Sequence, residues 1–233
     1  MSKLILSKKV IKEQTTVSKP TFFHRFFTFR NILVSLVISF LVLTVFAKFY
    51  PYFQFDLLVT HSVQKIAFPL WSELMYVITL IGNSPWAILL VLLVIVVSLL
   101  LGKKKDALMI LVSTTGAIII SNFFKLLINR PRPDSNLILQ LDKFTSTDSF
   151  PSGHVLYYVG FFGFLLFLTY TNFKKNILRQ FLLFSLSLLL ILVGFSRIYR
   201  GAHWFSDVLG AYLIGSVWLF IMINIYQKIK TKN

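Results

Sequence analysis

The chain has 233 residues, of which 56% are hydrophobic and only 14% charged, and its mean hydropathy is +0.76. That balance excludes an ordinary soluble domain and points to an integral membrane protein. The lack of cysteine excludes a disulfide framework and a thiolate metal site, and the net charge of +16 is placed for a membrane rather than for nucleic acid.

Residues 1–30 are polar and basic, with Lys3, Lys8, Lys9, Lys12, Lys19, Arg25 and Arg30 against Glu13 alone. They read as a cytoplasmic tail. Phe22, Phe23, Phe26 and Phe27 share one helical face, which suggests a short helix lying on the membrane surface. Six apolar segments then follow at about 31–49, 84–101, 106–127, 154–172, 179–197 and 205–226, each near the length a bilayer requires. Stretch 50–83 is apolar but broken by Pro51, Asp56, His61, Lys65, Pro69 and Glu73, and reads as two short interfacial helices. An alternative makes 66–82 a seventh span, with the chain ends on opposite sides. The expected fold is therefore all-α and polytopic: a six-span domain over 31–227, interfacial helices after the first span, and a short tail at 228–233.

Six spans place both termini on one side, and charge chooses which. Sixteen of the 24 basic residues fall on the terminal side, whereas six of the eight acidic residues fall opposite. The positive-inside rule makes the termini cytoplasmic and the loops after the third and fifth spans extracytoplasmic. A nucleic-acid partner is not expected. Lone His24 and His61 read as surface or interfacial residues, and Gly194, Gly210, Gly215 and Ser216 as helix-packing positions.

Three motifs fall on that opposite side. At 125–133, Lys125 and Arg132 flank a helix end that Pro131 and Pro133 stop and stiffen. At 150–154, the Pro151-Ser152-Gly153 turn enters a helix, offering backbone N–H groups and a hydroxyl to an anion, with His154 at the helix start. At 196–207, Arg197, Arg200, His203 and Asp207 lie within twelve residues between two apolar runs. Charge so near hydrocarbon marks a functional site. His203 and Asp207 are one turn apart if a helix starts near Ala202, so the carboxylate is placed to hold one ring nitrogen and leave the other to attack. Read singly, the three motifs are a snorkelling lysine, a helix cap and a basic loop.

The set Lys125…Arg132-Pro133, Pro151–His154 and Ser196-Arg197…His203…Asp207 resembles the type 2 phosphatidic acid phosphatase family in residue type, spacing and order. The resemblance implies a membrane lipid phosphatase. His203 is then the nucleophile that forms a phosphohistidine, Asp207 its orienting carboxylate, and His154 the general acid and base. Lys125, Arg132, Ser152, Gly153 and Arg197 hold the phosphate oxygens. No cofactor and no metal are expected, because magnesium wants carboxylates and this site offers cations. Arg130 and Arg200 lie outside the family pattern; they read as contacts to lipid phosphates, with headgroup steering as the alternative. The family implies phosphatidylglycerol phosphate, phosphatidic acid, diacylglycerol diphosphate or polyprenyl diphosphates as substrates. Transfer to an alcohol acceptor in place of water stays open. Vanadium haloperoxidases share the motifs, but six spans argue against them.

Overall fold

The computed structural model describes residues 29–142 and 148–231. The basic tail before residue 29, its expected surface helix and His24 lie outside them. Residues up to Ser35 form a separate unit, of which 29–35 are helical. Leu36–Asn233 form the second unit, and all three motifs belong to it.

Eight helical stretches are described. They are α1 (Phe29–Phe49), α2 (Gln54–Gln64), α3 (Pro69–Ile81), α4 (Trp86–Leu100), α5 (Lys104–Ile128), α6 (Gly153–Asn172), α7 (Ile177–Tyr199) and α8 (Phe205–Thr231). The fold is all-α, and among the described residues the strand-like feature is one bridge between Pro131 and Asp148. Five helices are long and apolar enough to cross a bilayer. Their outward side chains are greasy: Leu126 is 81% exposed and Ile177 80%. Such a surface requires a hydrocarbon solvent. The chain is a multi-pass membrane protein.

The expected second span is shorter than its hydropathy suggested. Helix α4 has 15 residues and spans alone only about 22 Å at 1.5 Å per residue. It passes as a span only together with α3, from which it is bent by 61° across Gly82-Asn83-Ser84-Pro85. Helix α3 itself has 13 residues, too few for the independent seventh span.

Helix α6 is the most enclosed of the long helices. Its middle, Val159–Gly163, takes a π-helical turn, a distortion found often near functional sites. Gly160 is needed there, since a Cβ would lie 2.6 Å from the Ala117 Cβ of α5. The Ser113 hydroxyl of α5 donates to the Gly160 carbonyl at 2.7 Å, so a polar clasp fixes the same crossing. Gly210 of α8 lies under the buried Phe150 ring, where a Cβ would meet it at 2.5 Å. This close approach ties the loop before α6 to the start of α8, bringing the second and third motifs together.

Candidate active site

The chain turns into the site at three helix ends. Helix α5 stops at Asn129, which is left-handed at φ 51° and whose N–H bonds the Lys125 carbonyl. The next residues are held by the Pro131–Asp148 bridge and by the Arg130 carbonyl, which accepts from the Ser149 N–H at 2.8 Å. Arg130 turns into the protein and Arg132 toward His203. Helix α7 ends near Gly201, at φ +67°, where a Cβ would lie 2.3 Å from the Leu139 carbonyl oxygen. Only glycine fits that turn. Helix α8 then starts at Phe205, where the sixth span was expected and not near Ala202, so His203 precedes it and Asp207 sits in its first turn. Asp207 accepts from the Trp204 N–H at 2.9 Å, a capping contact that fixes its carboxylate.

His203 is 1% exposed. Its Nδ1 faces Asp207 Oδ2 at 3.6 Å and the Ser149 hydroxyl at 3.4 Å. The first distance is beyond a hydrogen bond, and Ser149 spans the gap by donating to the same Asp207 oxygen. Nε2 faces the opposite way, 3.4 Å from the Arg132 guanidinium. Burial, and then the nearby charges of Arg132, Arg197 and Lys125, hold the imidazole well below its usual value of 6.5. The ring is therefore neutral at pH 7, with a lone pair on the nitrogen nearer Arg132. Burial likewise lowers the Arg132 guanidinium below its ordinary range, so its charge sits where an anion would be welcome.

The other expected residues gather around this ring. Arg132 donates to the Ala202 carbonyl at 2.8 Å and Lys125 to the Asp148 carbonyl at 3.1 Å. The Ser152 N–H reaches the Asp207 carbonyl at 3.2 Å, while its hydroxyl is buried without a partner. Arg197 bonds Asp142 and Thr79, both at 3.1 Å, and its buried Nε has no partner. Buried donors of this kind suit the oxygens of an anion. His154 stands at the start of α6 with Nε2 donating to Asn83 Oδ1 at 2.8 Å, leaving Nδ1 to face elsewhere. A cavity of about 450 Å³ runs from Lys125, Gly153 and His154 down between α4 and α5 to Val91 and Leu111.

Arg130 and Arg200 are corrections to the reading from sequence. Neither lies among lipid headgroups. The Arg130 side chain is fully buried, paired with Asp207 at 2.5 Å and Asp56 at 3.1 Å, and bonded to Ser206 and the Tyr50 carbonyl. Arg200 pairs with Asp142 and lies 5.1 Å over the Tyr76 ring. A guanidinium in low dielectric seeks carboxylates rather than solvent, and Asp56 and Asp142 provide them. His61 is exposed, as expected.

Residues 106–231 match the model of the PAP2 superfamily. The chain belongs to the PAP2 superfamily. Among its relatives is phosphatidylglycerophosphatase B of Bacillus subtilis (strain 168), 25% identical over 198 residues, which cover 84% of this chain and 96% of that protein. The fold is similar to a crystal structure described as the first transmembrane PAP2 type phosphatidylglycerolphosphate phosphatase from Bacillus subtilis. That match has a TM-score of 0.72 and 26% identity, and covers 84% of this chain and 96% of the other. Aquifex aeolicus LpxE shares the fold at a TM-score of 0.52 and 23% identity, over 74% of this chain and 96% of its own.

Within this PAP2 site, sequence reasoning missed Asn83, Ser149, Asp56 and Asp142. Asp56 carried one signal, a carboxylate inside a short apolar helix. Asn83 sits in a helix break that was read only as punctuation. Here it is the hydrogen-bond partner of His154, and Gly82 beside it makes room, since a Cβ there would lie 2.5 Å from His154 Cδ2.

Proposed function

We propose that this PAP2 protein removes phosphate from a membrane lipid through a phosphohistidine on His203. The family match and the likeness to the Bacillus phosphatase support a membrane lipid phosphatase. The observation that carries the mechanism is the neutral, buried His203 ring with Nε2 beside Arg132 and unpaired donors of Ser152 and Arg197 close by.

Lys125, Arg132, Arg197, Ser152 and the Gly153 N–H hold the phosphate oxygens, so charge building on them in the transition state meets preorganised donors. Nε2 forms a bond to phosphorus as the bond to the lipid oxygen breaks. His154, as the imidazolium with its Nε2–H held by Asn83, gives its Nδ1 proton to that leaving oxygen. Asp207, steadied by Arg130 and Ser149, orients the ring and stabilises its positive charge. Water then attacks the phosphohistidine, losing a proton to His154, and inorganic phosphate leaves with His203 regenerated. The hydrocarbon lies in the cavity between α4 and α5, open to lipid.

No step uses a metal. The carboxylates near the ring are engaged by arginines, Asp207 with Arg130 and Asp142 with Arg197 and Arg200, which leaves little for magnesium. The charge bias of the loops supports cytoplasmic termini and a site on the extracytoplasmic side. Phosphatidylglycerol phosphate heads the substrate candidates, with phosphatidic acid and undecaprenyl diphosphate beside it.

Phosphate release from these three lipids in detergent, with and without EDTA, tests the reading. The expected result is EDTA-resistant release that His203→Ala abolishes. Release that persists in His203→Ala, or a phosphorylated acceptor as the sole product, would overturn it.

A further inference from the structure

The membrane helices mostly satisfy their own hydroxyls. Thr44, Thr60, Ser98 and Thr114 each donate to the carbonyl four residues back, and Ser113 reaches Gly160 on the next helix. Ser121 does neither. It is 3% exposed, and its Oγ has no partner. A buried hydroxyl left unpaired away from water is unfavourable, so its position asks what bonds it.

Ser121 lies one turn before Lys125 on α5 and lines the cavity that opens from the phosphate-binding groups. A Cβ on Gly153 would lie 3.2 Å from its Oγ, so the hydroxyl abuts the glycine that opens the anion-binding turn. Asn122 lines the same cavity and is exposed, an amide on a helix whose neighbours face hydrocarbon. Such an amide is costly there unless it meets a polar group. Farther along, the wall is Ile118, Leu111, Val91 and Leu92, with Thr114 and Thr115, whose hydroxyls are already bonded to carbonyls of their own helix. The cavity therefore passes from cations, through a hydrogen-bonding belt about 5.4 Å deeper, to a wall richer in hydrocarbon.

We infer that Ser121, with Asn122, is a subsite for the oxygen-bearing linker between phosphate and hydrocarbon, and that it selects glycerolipid phosphates over prenyl monophosphates. The inference rests on the lipid-phosphate reading above. A glycerolipid carries ester and glycerol oxygens just beneath its phosphate. A prenyl monophosphate carries none and leaves Ser121 unpaired. Sites built to hydrogen-bond a substrate oxygen discriminate well against analogues that lack it.

The test compares two phosphomonoesters in detergent with the full-length protein: phosphatidic acid and hexadecyl phosphate, which has no linker oxygens. Ser121→Ala is expected to lower kcat/KM for phosphatidic acid roughly tenfold, the scale of one hydrogen bond. It should leave hexadecyl phosphate within about twofold, which also shows that the variant is folded. Asn122→Leu should shift the ratio the same way by less. An equal loss on both substrates, or no loss on either, would overturn the inference. Wild-type protein inert toward both would instead sink the lipid-phosphate reading itself, a different result from either.

Discussion

Two clusters of positive charge lie a few residues apart and are built for opposite purposes. Around Arg130 every guanidinium nitrogen is engaged, with Asp56, Asp207, Ser206 and the Tyr50 carbonyl as partners. Around His203 the cations are held differently. Lys125 donates to a main-chain carbonyl, which positions it without cancelling its charge, and the Ser152 hydroxyl and Arg197 Nε keep unused donors. The first cluster is framework and the second awaits an anion. Asp207 belongs to both, since one oxygen meets Arg130 and the other faces His203.

Asp207→Asn is the sharpest way to break the comparison. Turnover should fall on the order of 10⁴-fold, as when the orienting carboxylate of a triad is lost. Thermal stability should fall with it, because Arg130 loses a buried partner. Unchanged turnover would remove Asp207 from the site; unchanged stability would remove it from the framework. Next come single-cluster changes. Asp56→Ala should destabilise by about 3–5 kcal/mol, the cost of leaving a buried charge unpaired. Lys125→Met should leave melting nearly unchanged while lowering kcat by roughly 10²–10³-fold. Similar melting losses for the two variants would dissolve the distinction.

Asn83→Ala should lower kcat roughly 10²-fold with little change in KM, since it loosens the acid–base residue His154 without touching the phosphate. An effect confined to KM would place Asn83 in binding instead. The smallest expected effect concerns pH. In the proposed mechanism His203 attacks as the neutral ring, and its lowered value keeps it neutral into mild acid. Its limb in kcat/KM should lie below pH 6.5, with activity lost as pH falls through the folded value. The unfolded chain binds that proton first, so stability should also decline as pH drops below 6.5. Replacing Arg132 by Gln should move the limb upward. A limb at or above 6.5 in the wild type would contradict the cation-lined pocket.

How much of the site was legible from sequence depends on distance along the chain. His203 and Asp207 are one turn apart, and Ser152-Gly153-His154 is a local turn, so both read directly from spacing. Arg130 was misread because its partners, Asp56 and Asp207, are 74 and 77 residues away. Beside Pro131 and Arg132 it looked like one more exposed charge. The prolines show where the helix stops, but not that Arg130 turns inward while Arg132 reaches His203. Asn83 was hidden for a similar reason: a lone amide in a Gly-Asn-Ser-Pro break has an ordinary local explanation. The second span looked adequate by hydropathy, and only the bend with α3 shows it to be short.

Trapping the intermediate tests the central claim most directly. Protein quenched during turnover of a lipid carrying labelled phosphate should hold acid-labile, alkali-stable label on His203, absent from His203→Ala. Label on another residue, or turnover without any labelled protein on the millisecond scale, would contradict the account.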